Sequence, residues 1–265
     1  MTEAGVASAR LSAAQLDELI PHIHDSQWDS PSACAGWRVI DVLAHLGALA
    51  HEAVDPPPPE PGLPTVRERY HDLRVDQRRS LSHAEVIDEW RTYTPRQLDL
   101  LEADQASTRS AGPVTVPGLG VYPRHLLANT MAFNVLCHLR YDMLAPDGPL
   151  PFTLPPPTDQ QVSPAIGFML AGLPQMQGPE LDNTVTVPLS LELTGPGATT
   201  VTVHPARGSG TRLTLSPGDD GSTRIRSTAL SFIAWGTTRK PWRPYCTISG
   251  DEPVAAAFLD CLNII

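Results

Sequence analysis

The 265-residue chain has no apolar run approaching the length that crosses a bilayer, so no membrane partner is expected. Its opening, MTEAGVASAR, lacks the basic leader and apolar core of a signal peptide, and a cytoplasmic location is the expectation that follows. Cysteine is sparse. Cys34, Cys137, Cys246 and Cys261 form no C-x-x-C pair, which points to free thiols. Positive charge is in deficit, with 19 Lys and Arg against 29 Asp and Glu and a formal net charge of -10. No stretch interleaves basic residues with aromatics, so nucleic acid is not an expected partner. What these absences leave is a protein that binds small molecules, as a monomer or homodimer.

Proline, by contrast, is plentiful and localised. The run DPPPPEPGLP from Asp55 cannot continue a helix and reads as an extended surface connection. A second run, APDGPLPFTLPPP from Ala145, marks a linker between two domains, and a chain of this length carries two ordinary cores. The expected division is a helical bundle over 1–145, a proline-rich linker with a short helix (Ser163 to Leu173) over 146–180, and an α+β domain over 181–265.

Before residue 145 the apolar spacing is helical. Ser12 and Gln15 match a capping box, opening a helix through Leu16, Leu19, Ile20 and Ile23. His22 and His24 close it near its dipole end. Val39, Val42, Leu43, Leu46, Leu49, Ala50 and Ala53 recur at three and four residues and draw one apolar stripe, with Gly36 closing the loop before it. A third helix starts at the Ser82–Glu85 capping box and runs through Val86, Ile87 and Trp90 to Leu98 and Leu101, with Pro95 marking a kink or break. A fourth, with Pro123 in its first turn, carries Leu126, Leu127, Met131, Val135 and Leu139. Four such segments make an up-down bundle. The basic patch ending at Ser80 reads as a solvated helix end; alternatively Arg67, Arg69 or Arg74 holds an anionic ligand. Trp28 and Trp37 read as anchors for the loop between the first two helices.

After residue 181 the period changes. Thr184 to Leu193, Thr199 to His204, Arg212 to Leu215 and Thr223 to Arg226 read as short strands punctuated by Gly and Pro, followed by helices over Leu230 to Trp235 and Pro253 to Leu262. This is a sheet with covering helices, giving a two-domain α+β class overall. His204 decorates a strand.

Two histidines fall on inward faces. His45 lies on or beside the apolar stripe, one turn after Asp41, and His138 lies one turn after Asn134. A buried imidazole needs a partner. His45 is either a core-edge histidine bonded to a carboxylate or water, or a metal ligand; helical bundles build metal sites from side chains on facing helices, and zinc accepts such sets. Cys137 points about 100° away from His138 and reads as packing. His51 likewise points elsewhere and is placed at the surface, and so is His83 at its helix start. Asp142, one turn past His138, is positioned to orient that imidazole from behind or to stand in as an acidic donor.

The segment CAGWRVIDVLAHLGALAHEA resembles the signature of the mycothiol-dependent maleylpyruvate isomerase family, and STALSFIAWGTTRKPW with ISGDEPVAAAFLDCLNII is similar to the end of that family's carboxy-terminal domain. The resemblance implies a DinB-like four-helix bundle followed by a small sterol-carrier-like α/β domain with a mainly antiparallel sheet. It implies a divalent metal, zinc first and nickel second, held by His45, by position 134 and by His138, with mycothiol as thiol cosubstrate. It implies an isomerase or thiol transferase acting on a small electrophilic or unsaturated acid. Two positions depart from the pattern. Asn134 stands where the family has an acid, and a neutral amide is a weak donor to a divalent cation. Arg239 comes two residues later than the arginine expected after Trp235 and Gly236; it is the catalytic candidate in the second domain. The alternative implied by Asn134 is a non-catalytic or vestigial ligand-binding member with a weakened metal site.

Overall fold

The computed structural model describes residues 3–58, 62–64, 66–208 and 212–264; Pro59, Glu60 and Pro61 of the first proline run lie outside the described residues. The chain divides into two compact units, residues 1–118 with 122–156 and residues 119–121 with 157–265. The fold is α+β.

The first unit is a helical bundle built on α1 (Glu3–Leu19), α3 (Val39–Val54), α5 (His83–Ala106) and α6 (Leu127–Cys137), with α2 (Asp25–Trp28) and α4 (Arg67–Asp76) in the connections. Every residue of α3 from Val39 to Ala48 is buried, which makes it the central element rather than a surface helix with one apolar stripe. It packs on α5, where Gly47 lets the two backbones approach: a Cβ there would meet the Trp90 amide nitrogen at 3.4 Å. Leu16, Leu43, Leu46, Trp90, Val135 and Leu139 fill the core between α1, α3, α5 and α6. Leu150 joins that core fully buried, and Phe152 and Leu154 pack against it, so the second proline run is ordered by packing up to residue 154. Trp28 is buried and Trp37 packs on the same core.

Several local expectations change. The first helix begins at Glu3, nine residues before Ser12, which is wholly buried in mid-helix; the S-x-x-Q pattern occurs here inside a helix. Ser82 does cap α5, accepting from the Glu85 amide at 3.3 Å while Glu85 accepts from the Ser82 amide at 2.8 Å. Pro95 neither breaks nor ends α5. It is exposed, as are Arg91 one turn before it and Arg96 after it. Pro123 ends a strand instead of opening a helix: β1 (Pro113–Val116) and β2 (Gly120–Pro123) form a hairpin absent from the sequence reading, and a short 3-10 turn leads into α6. His51 is half-buried, stacked on Tyr93 with centroids 3.8 Å apart and bonded to Glu89 at 2.7 Å, so it ties α3 to α5 rather than facing solvent. His83, half-buried, lies 3.2 Å from Asp29.

The second unit holds α7 (Asp159–Gly172), α8 (Pro179–Thr184), β3 (Leu189–Thr194), β4 (Thr199–His204), β5 (Thr214–Pro217), β6 (Thr223–Thr228), α9 (Ala229–Gly236), β7 (Thr247–Ser249) and α10 (Glu252–Cys261). Its sheet runs β5-β4-β3-β6-β7. All neighbours are antiparallel except β3 and β6, which pair in parallel with Leu191 opposite Ile225. Thr184 proves to be the end of a helix, not the start of a strand, because Pro188 and the turn before it delay β3 to Leu189. Leu189, Leu191 and Leu193 alternate with their neighbours into a core closed by Phe232 and Phe258 of α9 and α10.

Candidate metal centre

A loop and three helical elements of the bundle, α3, α4 and the π-turn that ends α6, converge on one cluster of polar side chains. The start of α3 is held by Asp41, whose carboxylate accepts from the Arg38 amide at 2.9 Å and its guanidinium at 3.0 Å. One turn later His45 enters the core, only 4 % exposed. Across from it, the helix of α6 widens into a π-turn over His138–Met143, a geometry common at functional positions. That turn buries His138 and Asp142 together, with Nδ1 of His138 2.7 Å from Oδ2 of Asp142. The His45 and His138 ring centroids lie 5.0 Å apart, tilted edge to face.

The signature loop is fastened over this pair from two directions. The Ala33 amide donates to the Asp142 carbonyl at 3.0 Å, and the Trp37 indole donates to Asp72 on α4 at 3.1 Å. Ser32 Oγ accepts from the Cys34 amide and donates to the Trp37 carbonyl, so the loop between them is closed. The Trp37 ring consequently lies 5.1 Å from His45 and 6.4 Å from His138, an apolar wall that lowers the local dielectric. Cys34 Sγ lies 3.9 Å from Nδ1 of His138, and the Cys34, His138 and Asp142 ligand atoms fall within 4.8 Å of one another.

Two members of this cluster were missed in the sequence. Cys34 carries no spacing signal, since it sits in a loop. His71 lies on α4, whose composition is so polar that no apolar stripe marks an inward face. The ring of His71 nevertheless sits edge-on to His45 at 4.5 Å. Burial drives its pKa from 6.5 down to about 3, with Arg67 and His138 adding to the drop, so the imidazole is neutral and keeps a lone pair. Burial also lowers the pKa of Arg67, whose guanidinium lies over the Tyr70 ring at 5.4 Å.

Asn134 is half-buried on the α6 turn before His138 and takes no part in the His138–Asp142 pair. Arg239 is half-buried on the second unit, in the turn after α9. Among the described residues, the ligand atoms of Cys34, His138 and Asp142 lie close enough together to hold an ion, and thiol, imidazole and carboxylate are ligand types zinc accepts. Since Nδ1 of His138 is engaged by Asp142, Nε2 is the nitrogen left for an ion, and a carboxylate behind a ligating imidazole fixes its tautomer and raises its basicity.

Among the described residues no helix is long and apolar enough to cross a membrane. No curated protein matches the chain. Two crystal structures do: that of the mycothiol-dependent maleylpyruvate isomerase, at 15% identity and a TM-score of 0.57, and that of a histidine-to-alanine mutant of it, at 14% and 0.56. Each match covers 94% of this chain and 93% of the other, and at these identities it speaks to the fold. The family model of the mycothiol maleylpyruvate isomerase N-terminal domain matches residues 9–140, about half of the sequence. The chain belongs to the mycothiol-dependent maleylpyruvate isomerase family.

Proposed function

We propose that this protein is a metal-dependent enzyme that uses a low-molecular-weight thiol, mycothiol, to isomerise or to thiolate a small electrophilic or unsaturated acid. The observation that carries the reading is the meeting of His45 and His138 in the bundle core, with Asp142 bonded behind the second ring. His45 and His138 would hold the ion, with Asn134 on the adjoining turn as a weak carbonyl donor. A bound divalent metal, zinc first and nickel second, supplies the positive charge that keeps a thiol in its reactive thiolate form at neutral pH.

The chain's own groups do the remaining work. With Nδ1–H of His138 donating a hydrogen bond to Asp142, Nε2 would be the lone-pair donor. Trp37 keeps bulk water from the reacting sulfur. The thiolate adds to the conjugated carbon–carbon double bond, the electron pair moves to the carbonyl oxygen, and the former double bond becomes free to rotate. For an isomerase the pair returns and expels the thiolate; for a transferase a proton quenches the carbanion and the sulfur stays. Arg239 is the residue we assign to substrate binding in catalysis, tested by comparing KM of Arg239→Lys and Arg239→Met.

Asn134 favours one rival, a ligand-binding protein without turnover. The test is to load the protein with zinc, supply mycothiol, and screen cis-unsaturated acids and electrophiles. Turnover that requires both thiol and metal supports the enzyme; metal retained with no turnover of any substrate supports the rival.

A further inference from the structure

We infer that Arg67 binds the carboxylate of the substrate, from the side of α4 that carries His71. The inference deepens the reading above, in which the substrate is a small acid, and it rests on that reading. Arg67, Tyr70, His71 and Arg74 recur at three and four residues and so share one side of α4. That side meets α3: Tyr70 and Arg74 both reach Glu52, and the His71 ring lies 4.5 Å from that of His45. Arg67, one turn before His71, is close enough for its charge to help keep that imidazole neutral.

The Arg67 cation has no counter-charge of its own. Its guanidinium lies over the Tyr70 ring at 5.4 Å, and its Nε is buried without a hydrogen-bond partner. Glu52 attracts it from a distance, but that carboxylate already accepts from Tyr70 at 2.6 Å and is paired with Arg74. The other acids of α3 and of the π-turn are engaged as well, Asp41 by Arg38 and Asp142 by His138. On α4 itself Asp72 accepts from the Trp37 indole, Asp76 accepts from Arg79, and Glu68 is exposed one residue further round the helix. Among the described residues, then, no carboxylate pairs with Arg67. Burial disfavours its charged form, yet an arginine does not give up its proton at neutral pH, so a half-buried charge is kept at a cost in stability. An anion brought by a ligand offsets that cost.

A carboxylate is the anion that the guanidinium suits best, because two parallel N–H donors match its two oxygens. An acid held there lies beside His71, one ring away from His45. The rival anion is the thiolate, whose single sulfur gains less from a planar fork.

The experiment is isothermal titration of untagged protein, as purified and after zinc loading, with maleate and with its neutral diamide, on wild type, Arg67→Met and Arg67→Lys. Circular dichroism and zinc content report that each variant is folded and keeps the same metal occupancy. The expected result is maleate binding without diamide binding in the wild type, about a tenfold or greater loss of maleate affinity in Arg67→Met, and a smaller loss in Arg67→Lys, which keeps the charge but not the fork. Equal maleate affinity in wild type and Arg67→Met overturns the inference, and so does a wild type that binds no maleate or binds the diamide equally well. A rise confined to the KM of the thiol in Arg67→Met assigns the residue to the thiolate and overturns it too. Arg67-dependent maleate binding in a protein that turns over no acid upholds the site and sinks the enzyme reading; turnover that needs thiol and metal but is indifferent to Arg67→Met does the reverse.

Discussion

The two units bury polar side chains in different ways. In the second unit they are mostly hydroxyls with local backbone or indole partners: Ser190 accepts from the Gly221 amide, Thr202 from Asp220, Thr223 from Asp251, Ser227 from the Trp235 indole, and Thr237 donates to the Ile233 carbonyl. Each is satisfied with neighbours of the same small fold, and such groups specify packing. The bundle instead buries ionisable groups side by side. His45, His138 and Asp142 share one region with the half-buried His71 and Cys34, and their partners are largely one another. Grouping titratable side chains inside a core costs stability unless a ligand or charge repays it, and for that reason the bundle, not the sheet, is the place to look for chemistry.

Asp142→Asn is expected to produce the largest separation between the units. Loss of the carboxylate behind His138 should weaken metal binding by about 10–100-fold in a chelator titration, with little effect on the unfolding of the metal-free protein. Unchanged affinity would reduce the His138–Asp142 pair to a structural contact. Ser227→Ala makes the opposite case. It strands the buried Trp235 indole N–H and should cost about 1–3 kcal/mol in denaturant unfolding without altering metal affinity; a matching loss of metal would break the contrast. Smallest is a pH effect confined to the bundle. The folded pKa of His71, about 3, lies below its unfolded value of 6.5, so the unfolded chain binds the extra proton between them. Stability of the metal-free protein is therefore full above about pH 6.5 and declines as pH falls toward 3. The slope over that window should flatten in His71→Asn, as read by urea unfolding at stepped pH.

How legible this was depended on the element. A period of 3.6 suffices to turn His45 inward within the apolar stretch from Val42 to Ala50, and the alternation of Leu189, Leu191 and Leu193 is as plain a signal for the central strand. His71 could not be found that way, because α4 is held by Tyr70, Asp72 and Arg74 through polar bonds and not by an apolar face. The one-turn spacing suggested Asp142 beside His138, but the π-turn that carries the pair has no local signature, since a widened turn is stabilised by tertiary contacts such as the Ala33 amide on the Asp142 carbonyl. Ser12 and Pro95 misled for the same reason. A short capping pattern or a proline states a preference, and a buried helix face or an exposed turn overrides it.

The account stands on two imidazoles from distant parts of the chain sharing one ion. Elemental analysis of zinc bound to untagged wild type, His45→Ala and His138→Ala after identical loading tests it most directly. Stoichiometric zinc in the wild type and none in either variant is the predicted result; a metal-free wild type, or variants that keep their zinc, would contradict it.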